Sequence, residues 1–68
     1  MPPSRQIAND LRSRITSGDL PAGSRLPSIT TLMQQYGVAR NTARRSLAIL
    51  EDENLIEIVH GWGSFVKS

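Results

Sequence analysis

Apolar residues recur along the first quarter of the chain with the period of a helix. Ile7, Leu11 and Ile15 fall four residues apart with Ala8 beside them, which puts one apolar stripe on an α-helix. Ser4 precedes them as a candidate N-cap and Gly18 follows as a natural stop. The pattern predicts a helix over roughly residues 5–17, with Arg5, Arg12 and Arg14 off its stripe. The next stretch, GDLPAGSRLPS, is dense in glycine and proline and reads as a connection rather than an element. Leu20 and Leu26 are its apolar anchors, expected to tuck under the helices. Ser28 is a good cap for a short second helix, TLMQQY, whose buried stripe is Leu32, Met33 and Tyr36. Gly37 ends that helix, because a glycine accepts the positive φ of an abrupt close.

A third helix, about residues 39–53, follows in ARNTARRSLAILEDEN. Ala43, Leu47 and Leu50 carry its apolar spacing, Val38 stands just before it, and Asn54 is its expected left-handed close. LIEIV is then rich in β-branched residues, HGWG is turn-like and SFV can pair back, which predicts a hairpin. Ile56 and Ile58 share one face of its first strand and Glu57 takes the other. The expected fold is mainly α with a small β-hairpin: three helices plus a wing.

Size and composition narrow the function classes. Sixty-eight residues make one small domain, and the absence of cysteine removes disulfides, thiolate metal sites and thiol nucleophiles. No apolar run is long enough to span a membrane, and MPPSRQIAND lacks the apolar core of a secretory signal. The expectation is a soluble cytoplasmic domain with no membrane partner. Charge is unevenly placed: residues 1–45 hold seven arginines against Asp10 and Asp19, while residues 46–68 hold Lys67 against Glu51, Asp52, Glu53 and Glu57. Arginine offers a rigid fork of donors that matches phosphates and guanine edges.

Two short helices joined by the glycine-bearing turn YGVA form a helix-turn-helix pattern over SITTLMQQYGVARNTARRSLAIL. In such a pair the start of the second helix faces the DNA major groove. Arg40, Asn41, Arg44 and Arg45 all lie in the first half of that helix, off its apolar stripe, with Arg40 and Arg44 one turn apart. Cations at a helix start oppose the helix dipole by a few tenths of a kcal/mol or more, so an external anion is the expected compensation. Arg40 and Arg44 suit guanine, Asn41 suits adenine, and Thr42 suits a phosphate or a thymine methyl.

With those residues in view, the chain resembles the N-terminal winged-helix domain of the GntR family of bacterial transcriptional regulators. The resemblance runs through QIANDLRSRITSGDLPAGSRLPS, LMQQYGVARNTARRSLAILEDENLI and the wing GWGSFV, roughly residues 5–66. It implies a sequence-specific repressor-type domain, with the third helix in the major groove and the wing, about residues 60–64, at the minor groove. Arg40, Thr42, Arg44 and Arg45 match the family's recognition-helix contacts, Ser28 its phosphate-facing serine and Gly61 its wing glycine. With the residue chemistry, this assigns bases to Arg40, Asn41 and Arg44, phosphates to Ser28, Thr42 and Arg45, and the wing at the minor groove to Gly61 and Trp62. The resemblance also implies a homodimer on a palindromic operator in the full-length protein, the isolated domain being a monomer or weak dimer. A small-molecule effector would act only through a C-terminal domain outside these 68 residues.

The chain departs from the family pattern at three places. Ile29 and Thr30 stand where an acidic residue and an arginine are common, so one usual DNA-contacting cation is absent. Ala39 replaces a capping serine, which weakens the start of the third helix by about 1 kcal/mol. Trp62 replaces a basic or small polar residue between the wing glycines. Three placements are open to it: folded back as a lid on the core, laid against sugar and backbone at the groove edge, or in contact with the further domain.

The rival readings are an enzyme, or a winged helix that binds protein or RNA. One histidine (His60) and no phosphate loop ending in Lys-Ser or Lys-Thr leave no candidate catalytic set. The adjacent acids Glu51, Asp52 and Glu53 diverge around a helix end and read as a solvated face. No catalytic, metal-binding or cofactor-binding residue is therefore assigned, and cofactors are expected to be none. Against a protein-binding version stands the polar surface of the third helix, where Ala48 and Ile49 are the only apolar residues outside the core stripe.

Overall fold

The computed structural model describes residues 3–67. Helices α1 (Pro3–Ser17), α2 (Ile29–Tyr36) and α3 (Arg40–Asp52) precede strands β1 (Ile56–Val59) and β2 (Gly63–Val66), in the expected order. Helix α1 begins earlier than the pattern suggests. Ser4 lies inside its first turn and is not the cap. Pro3 accounts for this, because its preset φ suits a helix start and its missing N–H forfeits no bond there. Ile7, Ala8 and Leu11 are the buried face of α1, and Gly18 at φ 93° closes it.

Helices α2 and α3 meet through three residues, and their starts make a controlled comparison. Ser28 precedes α2 at φ −68°, ψ 164°, and its Oγ accepts from the Thr31 N–H at 3.1 Å. Ala39 precedes α3 at φ −73°, ψ 162°, the same backbone conformation, with no side chain able to accept. Gly37 at φ 63° turns the chain between them. Helix α3 then runs to Asp52, and Asn54 takes the left-handed conformation at φ 63°.

One core joins all of these elements. Ile7, Leu11, Leu32, Leu50 and Ile56 are fully buried, with Ala43, Leu47 and Val66 beside them. Met33 and Tyr36 are half-buried against that core, as is Ile49, whereas Ala48 is exposed. Burial of five aliphatic side chains of this size contributes on the order of 8–15 kcal/mol before chain entropy is set against it.

The connection GDLPAGSRLPS contains an element that its composition hides. The Gly23 and Leu26 N–H groups donate to Val66 O and Ser64 O at 2.8 Å each, and the Val66 N–H donates to Ser24 O at 2.9 Å. Arg25 pairs opposite Phe65. Residues 23–26 therefore run antiparallel along β2, which pairs on its other side with β1 through Ile56↔Val66 and Ile58↔Ser64. The wing is a three-stranded ribbon with β2 in the middle. Local pattern could not reveal this, because the hydrogen-bond partner lies at the other end of the chain.

Two polar contacts tie the helices outside the core. The Arg12 guanidinium donates Nε to Glu53 Oε1 at 2.8 Å and Nη2 to Glu53 Oε2 at 2.7 Å, and it also donates to Asn9. One of the three acids at the end of α3 is thus bound to α1 and is not simply solvated. The hydrogen bond from Arg12, and then its charge, hold Glu53 below the usual glutamate value. Tyr36 donates to Asp10 Oδ2 at 3.2 Å, and burial first, then the Asp10 charge, push its hydroxyl above the usual tyrosine value.

Two stability measurements test these features. Ala39→Ser meets the geometry that works at Ser28, so it should stabilise the domain by about 1 kcal/mol and raise the Tm by about 4–8 °C. An unchanged Tm would show that α3 starts differently. A depressed carboxylate stabilises the fold above the ordinary glutamate pKa and loses that contribution as pH falls through the folded value. Glu53→Gln should therefore melt slightly below wild type at neutral pH, and the gap should close on acidification.

Candidate nucleic-acid interface

Helix α3 buries Ala43, Ser46, Leu47 and Leu50. Arg40, Asn41, Arg44, Arg45 and Ala48 are all exposed. At 100° per residue these five span an arc of about 140° on the opposite side. Thr42 is half-buried at its edge. Ser46 donates to Ala43 O at 2.6 Å inside the core, so its hydroxyl faces no partner outside the fold. The only ion pair among the described residues is Arg12–Glu53, so Arg40, Arg44 and Arg45 carry unpaired charge. No acid lies in the first turn of α3 and no cation in its last. Both ends of the helix oppose its dipole.

The other predicted residues converge on the same side. Ile29 at the start of α2, Arg44 and Ala48 of α3, and Ile58 and His60 of the wing line one groove. A second, open cleft of about 300 Å³ continues it along the wing, lined by Arg25, Ser28, His60, Trp62 and Gly63 among others. Ser28 is exposed, but its Oγ already caps Thr31 and lies 2.9 Å from Thr31 Oγ1. What α2 offers an anion is therefore chiefly its unpaired first-turn N–H groups. Gly61 turns the wing at φ 84°, and the Trp62 N–H closes that turn on Val59 O at 3.0 Å.

The structure narrows two placements that the sequence left open. Trp62 is 71% exposed, so it does not fold back as a lid on the core. The three-residue turn that Gly61 permits carries the indole away from the sheet. Arg12, one of the off-stripe cations of α1, is held by Glu53 at the far end of α3 from the basic arc. Sequence reasoning also passed over a residue: Arg25 was counted among the arginines and given no role. It reaches the wing because residues 23–26 pair with β2. A methyl placed on Gly63, at φ 122°, would stand 2.9 Å from Arg25 Nε and 3.1 Å from Nη2. The guanidinium thus lies beside Gly63, where the wing turn ends.

A family model for bacterial regulatory proteins, gntR family, matches residues 3–66. The chain belongs to the GntR family. The mannosyl-D-glycerate transport/metabolism system repressor MngR of Escherichia coli strain K12 is 38% identical over 63 residues, 93% of this chain and 26% of that protein. The repressor NagR of Bacillus subtilis strain 168 is 36% identical over 62 residues, 91% of this chain and 26% of that protein. The chain spans about a quarter of the length of these curated relatives. The crystal structure of AraR(DBD) in complex with operator ORR3 matches with a TM-score of 0.94 at 33% identity, over 97% of this chain and 80% of that one. Three helices with an antiparallel wing are thus the GntR winged helix-turn-helix. Among the described residues no helix is long and apolar enough to cross a membrane.

In this GntR-family domain the contact of Arg25 with Gly63 has a measurable consequence. Gly63→Ala meets both a disfavoured φ and the guanidinium, and should destabilise by about 1–3 kcal/mol in urea or thermal unfolding. Adding Arg25→Ala should restore only the steric share. Full restoration would mean that the backbone there is relaxed.

Proposed function

We propose that this domain binds duplex DNA sequence-specifically, as the N-terminal module of a bacterial transcriptional repressor. The observation that carries the reading is the unpaired basic arc at the start of α3, built against the helix dipole and left open to an anion. The similarity to AraR(DBD), whose structure is a complex with operator DNA, supports it, as do relatives named as repressors.

In this reading the first half of α3 enters the major groove. Arg40 and Arg44 are about 6 Å apart along the helix axis, which suits guanines on neighbouring base pairs, and Asn41 between them suits an adenine. Arg45 and Thr42 flank the groove at phosphates, and the start of α2 at Ser28 receives a third. Gly61 and Trp62 bring the wing to the minor groove. The module works as a homodimer on a palindromic operator, the two copies doubling contacts that are weak singly. Residues 1–68 form the DNA-binding domain, and any small-molecule effector acts through a separate C-terminal domain. The relatives are regulators rather than enzymes, and no catalytic role is assigned.

Random-site selection with the dimerised domain yields the operator and tests the reading. Arg44→Ala should lower affinity for that operator by about 1–3 kcal/mol and relax base preference at one position of each half-site. Binding should also weaken steeply with added salt. Arg44→Ala binding like wild type would remove α3 from the major groove, and salt-indifferent binding would point to a protein partner.

A further inference from the structure

The wing turn of this domain, residues 60–62, holds His60, Gly61 and Trp62 and contains neither lysine nor arginine. Thr30, two residues after the Ser28 cap, brings no cation to α2 either. Lys67, at the other end of β2, donates to Asn54 Oδ1 at 3.4 Å beyond the close of α3. By its local sequence, this wing would meet a polyanion without a positive charge of its own.

The tertiary fold supplies one. Arg25 arrives through the pairing of residues 23–26 with β2, and its guanidinium rests on Gly63, the residue after Trp62. It is exposed, and it makes no ion pair or side-chain hydrogen bond with any described residue. A guanidinium packed on backbone gives up less rotamer freedom on binding than one swinging in solvent. Beside it, Trp62 is the one large apolar side chain left exposed among the described residues. Arg25, Ser28, His60 and Trp62 open onto one cleft, which Ile29 and Leu47 also line. A fixed cation, a free aromatic face and apolar lining match a sugar–phosphate strand, which alternates anionic phosphates with deoxyriboses that have an apolar face.

We propose that Arg25 and Trp62 together form a clamp for one sugar–phosphate unit at the edge of the minor groove. Arg25 takes the phosphate and Trp62 lies on the adjoining deoxyribose. This rests on the DNA-binding reading above and adds to it two residues that act on backbone, not on base sequence. The clamp places the wing's charge in the segment before α2 instead of in the turn.

The test uses the 68-residue chain and short duplexes that wild type has enriched from a random pool. Arg25→Gln should reduce the slope of log affinity against log salt by about 0.9, one phosphate's worth, while Arg25→Lys should keep it. Circular dichroism and melting of both variants separate lost charge from lost fold. Trp62→Ala should weaken binding about tenfold at an unchanged salt slope and an unchanged selected sequence, as expected when roughly a quarter of an indole's apolar surface returns to water. Wild-type Trp62 emission should shift on saturation with duplex. A wild-type slope in Arg25→Gln overturns the clamp, and so does an emission that duplex leaves unaltered. Emission that shifts instead with chain concentration also overturns it, by placing the indole between copies of the chain. Failure of the underlying reading looks different: wild type itself would then show no salt-dependent binding to duplex, and Arg44→Ala would change nothing.

Discussion

Helix α3 is built against its own electrostatics, and the rest of the domain depends on how that helix is held. It starts without a capping side chain, carries Arg40, Arg44 and Arg45 at the end where its dipole is positive, and ends among acids where the dipole is negative. Local forces do not favour it. What holds it is burial of Ala43, Ser46, Leu47 and Leu50 against α1 and the hairpin, a gain of several kcal/mol against local penalties nearer one. Arg12 relieves the acidic end by taking Glu53 in a two-pronged bond. Nothing among the described residues relieves the basic end, and an anion bound there would stabilise the folded state by linkage.

A second constraint fixes the wing. A two-stranded hairpin alone is marginal in water. Here β2 is hydrogen-bonded on both sides, to β1 and to residues 23–26, while Ile56 and Val66 are buried with the helices. Leu26, buried between Arg25 and Pro27, anchors the third strand to the same core. The wing's position relative to α3 is therefore a property of the core. The groove lined by Arg44, Ile58 and His60 needs no separate ordering when a ligand enters.

Stability and binding surface are divided between the ends of the same elements. The inner face of α3 is aliphatic and closed while its outer face is charged and free. Gly61 and Gly63 give up side chains so that the wing can turn and so that Arg25 can lie against it. Ser28 shows the division within one residue, its side chain committed to capping α2 while the adjoining N–H groups stay available.

Much of this was legible in the chain. The spacing of Ile7, Leu11, Leu47 and Leu50, the caps and glycine stops, and the β-branched run after Asn54 identified helices and hairpin, because periodicity and turn chemistry act over a few residues. The basic arc of α3 was legible for the same reason: Arg40, Asn41, Arg44 and Arg45 share one turn-and-a-half of a single helix. Ser4 was misjudged because Pro3 offered an equally local start. Beyond that reach lay the strand at residues 23–26, the seat of Arg25 on Gly63, the diversion of Arg12 to Glu53, and the outward indole of Trp62. Each depends on partners brought from opposite ends of the chain, or on whether the core has room. The sequence alone determined the three helices, the hairpin, the charge they carry and the family; only the tertiary structure decided which charges are paired and which face outward, because pairing requires proximity that no local pattern encodes.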